Sequence, residues 1–504
     1  MSFACFEAEI AKINDILCAV NLLTWDARTM MPPGGVEARG QQIATLVGLA
    51  RDLATGNELA RAIDDARSEL TGVPADDLRL LAVEQAAAAI TTLSKIPASL
   101  VGAAATLKTQ AQAVWTKARS ANDFAGFAPT LERAMDTQRE ISEALGYDEH
   151  PYDALVATYE PGLRWSRLRE IYGDLQKSLI PLLEKAKGAR VRTDILERSY
   201  PVAQQRAFSI AMAKRLGYDF TRGRLDETVH PFEISFTRAD VRITGRFRDT
   251  WLPGGLFAVW HEVGHGLYEQ GIAERFSRST FTTDFVNLYA VGGSSFGMHE
   301  SQSRLIENRV GRSRGFWDLH FRELKAAFPD QLADVTVDDF WRVINAAKPS
   351  LIRVEADELT YDFHIMLRSE IEAGLMAGEI RVKDLPDIWR EKMKAHLGLD
   401  VPTDTLGVLQ DVHWSSGMVG SFPTYTVGNI ASSQLFAAAR KSVVVEAGLD
   451  VGSYEPLKLW LNENIHQFGR SKSRSEILIA ATGGDLSSDC YIADLTAKVN
   501  ELVS

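Results

Sequence analysis

His261 and His265 lie four residues apart, with Glu262 beside the first, in the run Trp260-His261-Glu262-Val263-Gly264-His265. A helical turn of about 3.6 residues puts both imidazoles on one face, where they can reach a single metal ion. Glu262 then sits roughly 100° round the helix, near enough to act on a water at the metal without ligating it. The pattern is the HExxH signature of zinc hydrolases, and a chain of this length would contain it by chance on the order of 0.01 times. The competing reading is a surface helix that binds no metal.

A hydrolytic zinc site needs a third protein ligand and one open position. Downstream, Gly297-Met298-His299-Glu300-Ser301-Gln302-Ser303-Arg304-Leu305-Ile306-Glu307-Asn308 reads as the start of a second helix and offers His299, Glu300 and Glu307. The chemistry of these side chains alone does not choose among the three. For the first helix, Pro253, Gly254 and Gly255 are expected to break the preceding segment, and Leu256, Phe257, Val259 and Trp260 supply an apolar surface. Gly271 is the expected residue just past the helix end. Gly264 lowers helix propensity, and its small size is expected to let another segment pack close to the metal.

The surrounding chain of 504 residues, 45% hydrophobic, can bury a large core. A net charge of −12 argues against a nucleic-acid partner. No basic-then-apolar signal opens the chain, where Met1 to Val20 carries Glu7, Glu9, Lys12 and Asp15, and nowhere do 18 apolar residues run uninterrupted. The expectation is a cytoplasmic protein with no membrane partner. Cys5, Cys18 and Cys490 are odd in number and far from the histidines, which disfavours a disulfide framework or a thiolate metal site.

Helical patterning dominates. Residues 36 to 145 are rich in Ala, Leu, Glu, Arg and Gln with apolar residues at three- and four-residue spacing, which predicts several long amphipathic helices. A turn-rich break follows at Gly146 to Tyr152, and helical patterning resumes from Trp165 to Leu216. Asp240 to Thr244 is the clearest strand, with another at Phe232 to Phe236, and the two are expected to form a small sheet beside the HExxH helix. Helices return from Asp338 onward, interrupted at Lys348-Pro349, Val401-Pro402 and Phe422-Pro423. With no repeat, low-complexity tract or flexible linker, the expected architecture is mainly α: one domain over residues 1–504, a large two-lobed helical body around a long substrate groove.

Several motifs lie along this chain in a fixed order: Leu23-Thr24-Trp25-Asp26, His230-Pro231-Phe232, Asp240-Val241-Arg242-Ile243-Thr244, the HExxH run and His299-Glu300-Ser301-Gln302. They continue with Ile352-Arg353-Val354-Glu355-Ala356-Asp357, then Gly407-Val408-Leu409-Gln410-Asp411-Val412-His413-Trp414, and Phe422-Pro423-Thr424-Tyr425. In these motifs the chain resembles the carboxypeptidase Taq family of zinc metallocarboxypeptidases. The resemblance implies an all-α fold with a long groove, a homodimer, and release of single residues from peptide C-termini. It selects Glu300 as the third ligand beside His261 and His265. The chain departs from the pattern in the 35 residues from His265 to Glu300, a long connection whose excess falls at or near Arg275 to Gly292. Gly245 and Ser421 also replace residues more typical of their motifs.

The implied chemistry places zinc, with cobalt or manganese as alternatives, between His261, His265 and Glu300. Glu262 serves as general base and then general acid. His413 and Tyr425 are the candidate donors to the developing oxyanion, against the competing reading that both simply pack in a core. Arg353 is the candidate clamp for the substrate's free carboxylate, against a structural ion pair with Glu355 or Asp357. Arg242 either closes the end of the groove or pairs structurally with Asp240. Two other readings stand beside the carboxypeptidase: another HExxH peptidase, such as an oligoendopeptidase or dipeptidase, and a non-catalytic peptide-binding protein. The intact metal residues and Glu262 disfavour the last, and Arg353 separates the first two.

Overall fold

The computed structural model describes residues 2–504. It is 67% helical, and its strands make a single three-stranded sheet, so the expected mainly α class holds. The chain divides into two compact units. The first comprises the stretches up to Ser94, Val191–Ile344 and Ala431–Leu486, and the second comprises Lys95–Arg190, Asn345–Ile430 and Ser487–Ser504. Among the described residues no single helix is long and apolar enough to cross a membrane.

The first unit starts with a 28-residue helix, Ser2–Thr29, which buries Phe6, Ile10, Ile13 and Leu17 against Val36–Ala54 and Asn57–Glu69. The sheet follows: β1 (Gly223–Glu227), β2 (Glu233–Thr237) and β3 (Asp240–Gly245), in the order β1-β3-β2. β3 runs parallel to β1 and antiparallel to β2, with Val241 and Ile243 fully buried. β2 is an edge strand, and the first helix covers it: Asn21 donates to the Ser235 carbonyl at 3.1 Å and Cys18 to that of Phe236 at 2.7 Å. The two expected strands are present, and β1 is an addition. Its sequence Gly223-Arg224-Leu225-Asp226-Glu227 buries consecutive residues, Leu225 and Asp226, and so lacks the alternation that announces a strand.

The HExxH helix spans Leu252–Gly271, starting earlier than expected. Pro253, Gly254 and Gly255 form its first turn, where a missing N–H removes no helical hydrogen bond. Gly271 is its last residue, with Ile272 closing the end. The helix packs on the sheet through Val259, and a Cβ on Gly245 would come 2.8 Å from the Val259 side chain, which accounts for glycine there. The expectation for Gly264 is borne out. A Cβ at that position would lie 2.3 Å from the Gln302 carbonyl oxygen and 2.5 Å from Ser303 Cα, so the backbone of the next helix, Phe296–Arg304, touches this one where a side chain is missing.

Between these helices the long connection is ordered by short 3-10 turns at Glu274–Phe276 and Thr280–Thr282 and by a bridge from Asp284 to Tyr289. Phe276, Phe281, Phe285 and Leu288 bury it in the cluster built on the first helix. It also lines a cavity of 420 Å³ with Phe3, Phe6 and Ile10.

In the second unit the helix Tyr361–Met376 is buried on every side. Its two buried carboxylates are paired inside the core. Asp362 accepts from Thr426, Asn429 and Tyr491, while Glu372 accepts from Tyr152, the Trp414 indole and the Gly420 N–H.

Candidate active site

The two helices that meet at Gly264 carry the candidate metal-binding residues. His261 and His265 point from one face of the first, and Glu300 faces them from the second. The Glu300 Oε2 lies 3.5 Å from His261 Nε2 and 3.3 Å from His265 Nε2. Ligands bonded at about 2.0–2.2 Å in a tetrahedron are separated by roughly 3.3 Å, so this donor set fits one ion with one corner left open. Ligand atoms of these three residues all lie within 4.8 Å of one another. The other oxygen, Glu300 Oε1, accepts from Arg304 Nε at 2.8 Å, while Oε2, which also accepts from the Ser303 hydroxyl at 3.2 Å, is the one that faces the histidines.

His299 and Glu307, the two other candidates for the third ligand, occupy the far sides of the histidines. Glu307 Oε2 lies 2.9 Å from His261 Nδ1, and His299 Nδ1 lies 2.6 Å from His265 Nδ1. Glu307 reaches this position from a π-helical stretch, Leu305–Gly311, that continues the Phe296–Arg304 helix. The wider turn is a feature that residue periodicity does not reveal.

Electrostatics divides these groups by role. Burial lowers His265 to about 3, which keeps its imidazole neutral, as a ligand must be. Burial opposes a charge on His261 too, but Glu300 and Glu307 on its two nitrogens raise it to about 10, so this point favours a cation, proton or metal. Glu307 falls to about 2 despite burial, held by His261, Arg304 and Arg312. Glu262 is 5% exposed, and burial pushes it up to about 7 against the lowering effect of His261. A carboxyl group near neutrality can both take and return a proton.

The second unit gathers Arg353, His413 and Tyr425 in one cluster. His413 Nε2 is 3.3 Å from the Tyr425 hydroxyl, and the Arg353 guanidinium lies 5.3 Å from the centre of the Tyr425 ring. Burial, with Arg353 nearby, lowers His413 to about 3 and keeps it neutral. Arg353 pairs with neither Glu355 nor Asp357. Its Nε and Nη2 donate to Asp411 at 3.0 and 2.9 Å, and its Nη1 to the Tyr361 hydroxyl at 2.9 Å. Arg368 donates to the other Asp411 oxygen at 2.7 Å. Two buried guanidiniums thus share one carboxylate, which leaves an excess positive charge. Arg368 was not visible from sequence, whereas Asp411 stands in a motif already singled out. Arg242 pairs with Asp240 at 2.9 Å and lies 4.3 Å from the centre of the Trp25 ring and 4.8 Å from that of Phe236, the geometry of a structural pair.

Residues 5–499 match the sequence profile of the carboxypeptidase Taq (M32) metallopeptidase family. The chain belongs to this family. Carboxypeptidase 1 of Bacillus subtilis is 37% identical over 496 residues, covering 98% of this chain and 97% of the relative. Thermostable carboxypeptidase 1 of Thermus thermophilus is 38% identical, covering 93% and 92%. The crystal structure of an M32 carboxypeptidase from Deinococcus radiodurans superposes with a TM-score of 0.95 at 35% identity, covering 100% of this chain and 99% of that one. The chain is accordingly a metallocarboxypeptidase, a peptide hydrolase that uses a metal and has a peptide as substrate.

Proposed function

We propose that the metal is zinc, held by His261, His265 and Glu300, and that the chain removes single residues from peptides with a free C-terminus. The observation that carries this is the Glu300 Oε2 facing both Nε2 atoms at 3.3 and 3.5 Å, the spacing of a tetrahedral site. Bound zinc supplies Lewis acidity, polarising the scissile carbonyl and lowering the pKa of water to about 7. Glu262 takes the proton of the attacking water and delivers it to the leaving amine. His413 and Tyr425 donate to the oxyanion, a role for which the neutral imidazole and the phenol are suited.

Arg353 binds the substrate carboxylate, and the excess positive charge of the Arg353-Asp411-Arg368 cluster supports that assignment. Asp411 keeps the guanidinium oriented, and Arg242 stiffens the sheet instead of meeting substrate. Residues 1–504 are taken as one catalytic domain in a cytoplasmic homodimer, of which the dimer rests on the family resemblance alone.

Mass spectrometry of a peptide offered with free and amidated C-termini tests the reading. Wild type should shorten the free peptide one residue at a time, and Arg353→Ala should impair this far more than any residual action on the amide. Cleavage inside the chain, or equal loss on both substrates, would favour an endopeptidase and remove Arg353 from the clamp.

A further inference from the structure

The three metal-binding residues leave one adjacent histidine unused by the chemistry. His299 is half-buried beside His265, and the proton positions between them are fixed by what His265 must do. If its Nε2 lone pair faces the metal, its proton sits on Nδ1. The neighbouring atom, 2.6 Å away, is His299 Nδ1, which must then accept. His299 therefore carries its own proton on Nε2, and that atom lies 2.8 Å from Glu269 Oε1. The ring planes differ by 24°, and centroids 4.7 Å apart with only 2.6 Å between the two Nδ1 atoms mean that the rings meet by their Nδ1 edges, as an N–H···N hydrogen bond requires. Glu269 is itself 5% exposed, and the same Oε1 accepts the Gly292 N–H at 3.0 Å. Gly292 lies near the end of the long connection, four residues before the second helix begins at Phe296.

We propose that His299 and Glu269 form a positioning relay for His265, in the order Glu269, His299, His265, metal, anchored near the end of the long connection through Gly292. His261 has a carboxylate, Glu307, directly on its Nδ1. His265 has its carboxylate one imidazole further away. The relay fixes the tautomer and ring orientation of His265 and raises its basicity toward the ion, as carboxylate partners of ligating histidines do. Neither residue touches substrate or metal. The aromatic ring of Tyr268 packs against His299 with centroids 5.1 Å apart and seats it for this task.

The proposal rests on the zinc site assigned above. It is tested by zinc affinity and zinc release rate in the full chain, measured by competition with a chromophoric chelator, and by the visible spectrum of the cobalt-substituted protein. His299→Phe keeps the ring and loses the acceptor, and should weaken zinc 10- to 100-fold and alter the cobalt spectrum. His299→Gln, which keeps an acceptor, should recover part of the loss and stands in if the phenylalanine variant fails to fold. Glu269→Gln should weaken zinc in the wild-type background but change it less than twofold once His299 is phenylalanine, because the link is already cut. Zinc affinity within twofold of wild type in folded His299 variants would overturn the relay, as would a Glu269→Gln effect that persists in full without His299. A wild-type chain that binds no zinc, or a His265→Ala variant that binds it normally, would overturn the site and the relay together.

Discussion

Replacing Gly264 by alanine tests how closely the two metal-binding helices are fitted to each other. The added methyl would come 2.3 Å from the Gln302 carbonyl oxygen and 2.5 Å from Ser303 Cα. Both are backbone atoms, so no side-chain rotation relieves the clash, and the Phe296–Arg304 helix must withdraw by about 1 Å to reach ordinary contact. Glu300 lies two residues before Gln302 on that helix, and a metal bond tolerates a displacement of only about 0.2 Å. Metal affinity should therefore fall by at least about tenfold, the lower end of what disturbing the partners of a ligand does. Overpacking costs about 1–3 kcal/mol, and the better helix propensity of alanine returns about 1, so the metal-free chain should lose up to about 2 kcal/mol. Gly48, in the helix Val36–Ala54, is the control, because a Cβ there meets nothing within 4 Å. Gly48→Ala should gain up to about 1 kcal/mol and leave the metal unchanged. Chelator competition and thermal unfolding of the metal-free protein read the two effects separately. A Gly264→Ala protein that holds zinc like wild type, or one stabilised like Gly48→Ala, would refute the close-packing argument.

Glu262→Gln should keep zinc affinity within a few-fold while turnover falls about 10²- to 10⁴-fold, since only the proton transfer is removed; near-normal turnover would refute the assignment. Chelation should abolish hydrolysis and zinc or cobalt should restore it, whereas an assay indifferent to chelator would point away from metal-dependent chemistry. Burial raises Glu372 from 4.5 to about 7 in spite of hydrogen bonds from Tyr152, Gly420 and Trp414. A carboxyl group raised on folding holds its proton more tightly in the native state. Its stabilising contribution is therefore full below about pH 4.5 and lost as pH rises through 7, about 3 kcal/mol in all. Thermal midpoints of wild type and Glu372→Gln followed across that range should diverge, and parallel curves would sink the argument.

The HExxH helix was legible because its information is local: a four-residue spacing fixes which side chains share a face. The requirement for a small residue at Gly264 was legible for a related reason, since a glycine inside an amphipathic helix calls for a neighbour. The ends of the same helix were less so, because Pro253 to Gly255 suit a first turn as well as a break. What sequence reasoning could not supply were pairings across long separations. Arg353 finds Asp411, 58 positions away, because the nearer Asp357 is already occupied by the N–H groups of Lys348, Leu359 and Thr360. His265 finds His299 and, through it, Glu269, although no periodicity links them. A trace of these pairings was nevertheless present. A buried charge must be paired, so an arginine in one motif with no free local partner calls for a carboxylate in another, and Asp411 was the acid in the motif that also carries His413. Motifs are then best read as a set of unmet charges and hydrogen bonds that must cancel one another. On that basis, with Glu300 proposed for the third metal position, the ring nitrogens of the histidine beside it still needed partners, and the HExxH helix supplied both, in His265 and Glu269.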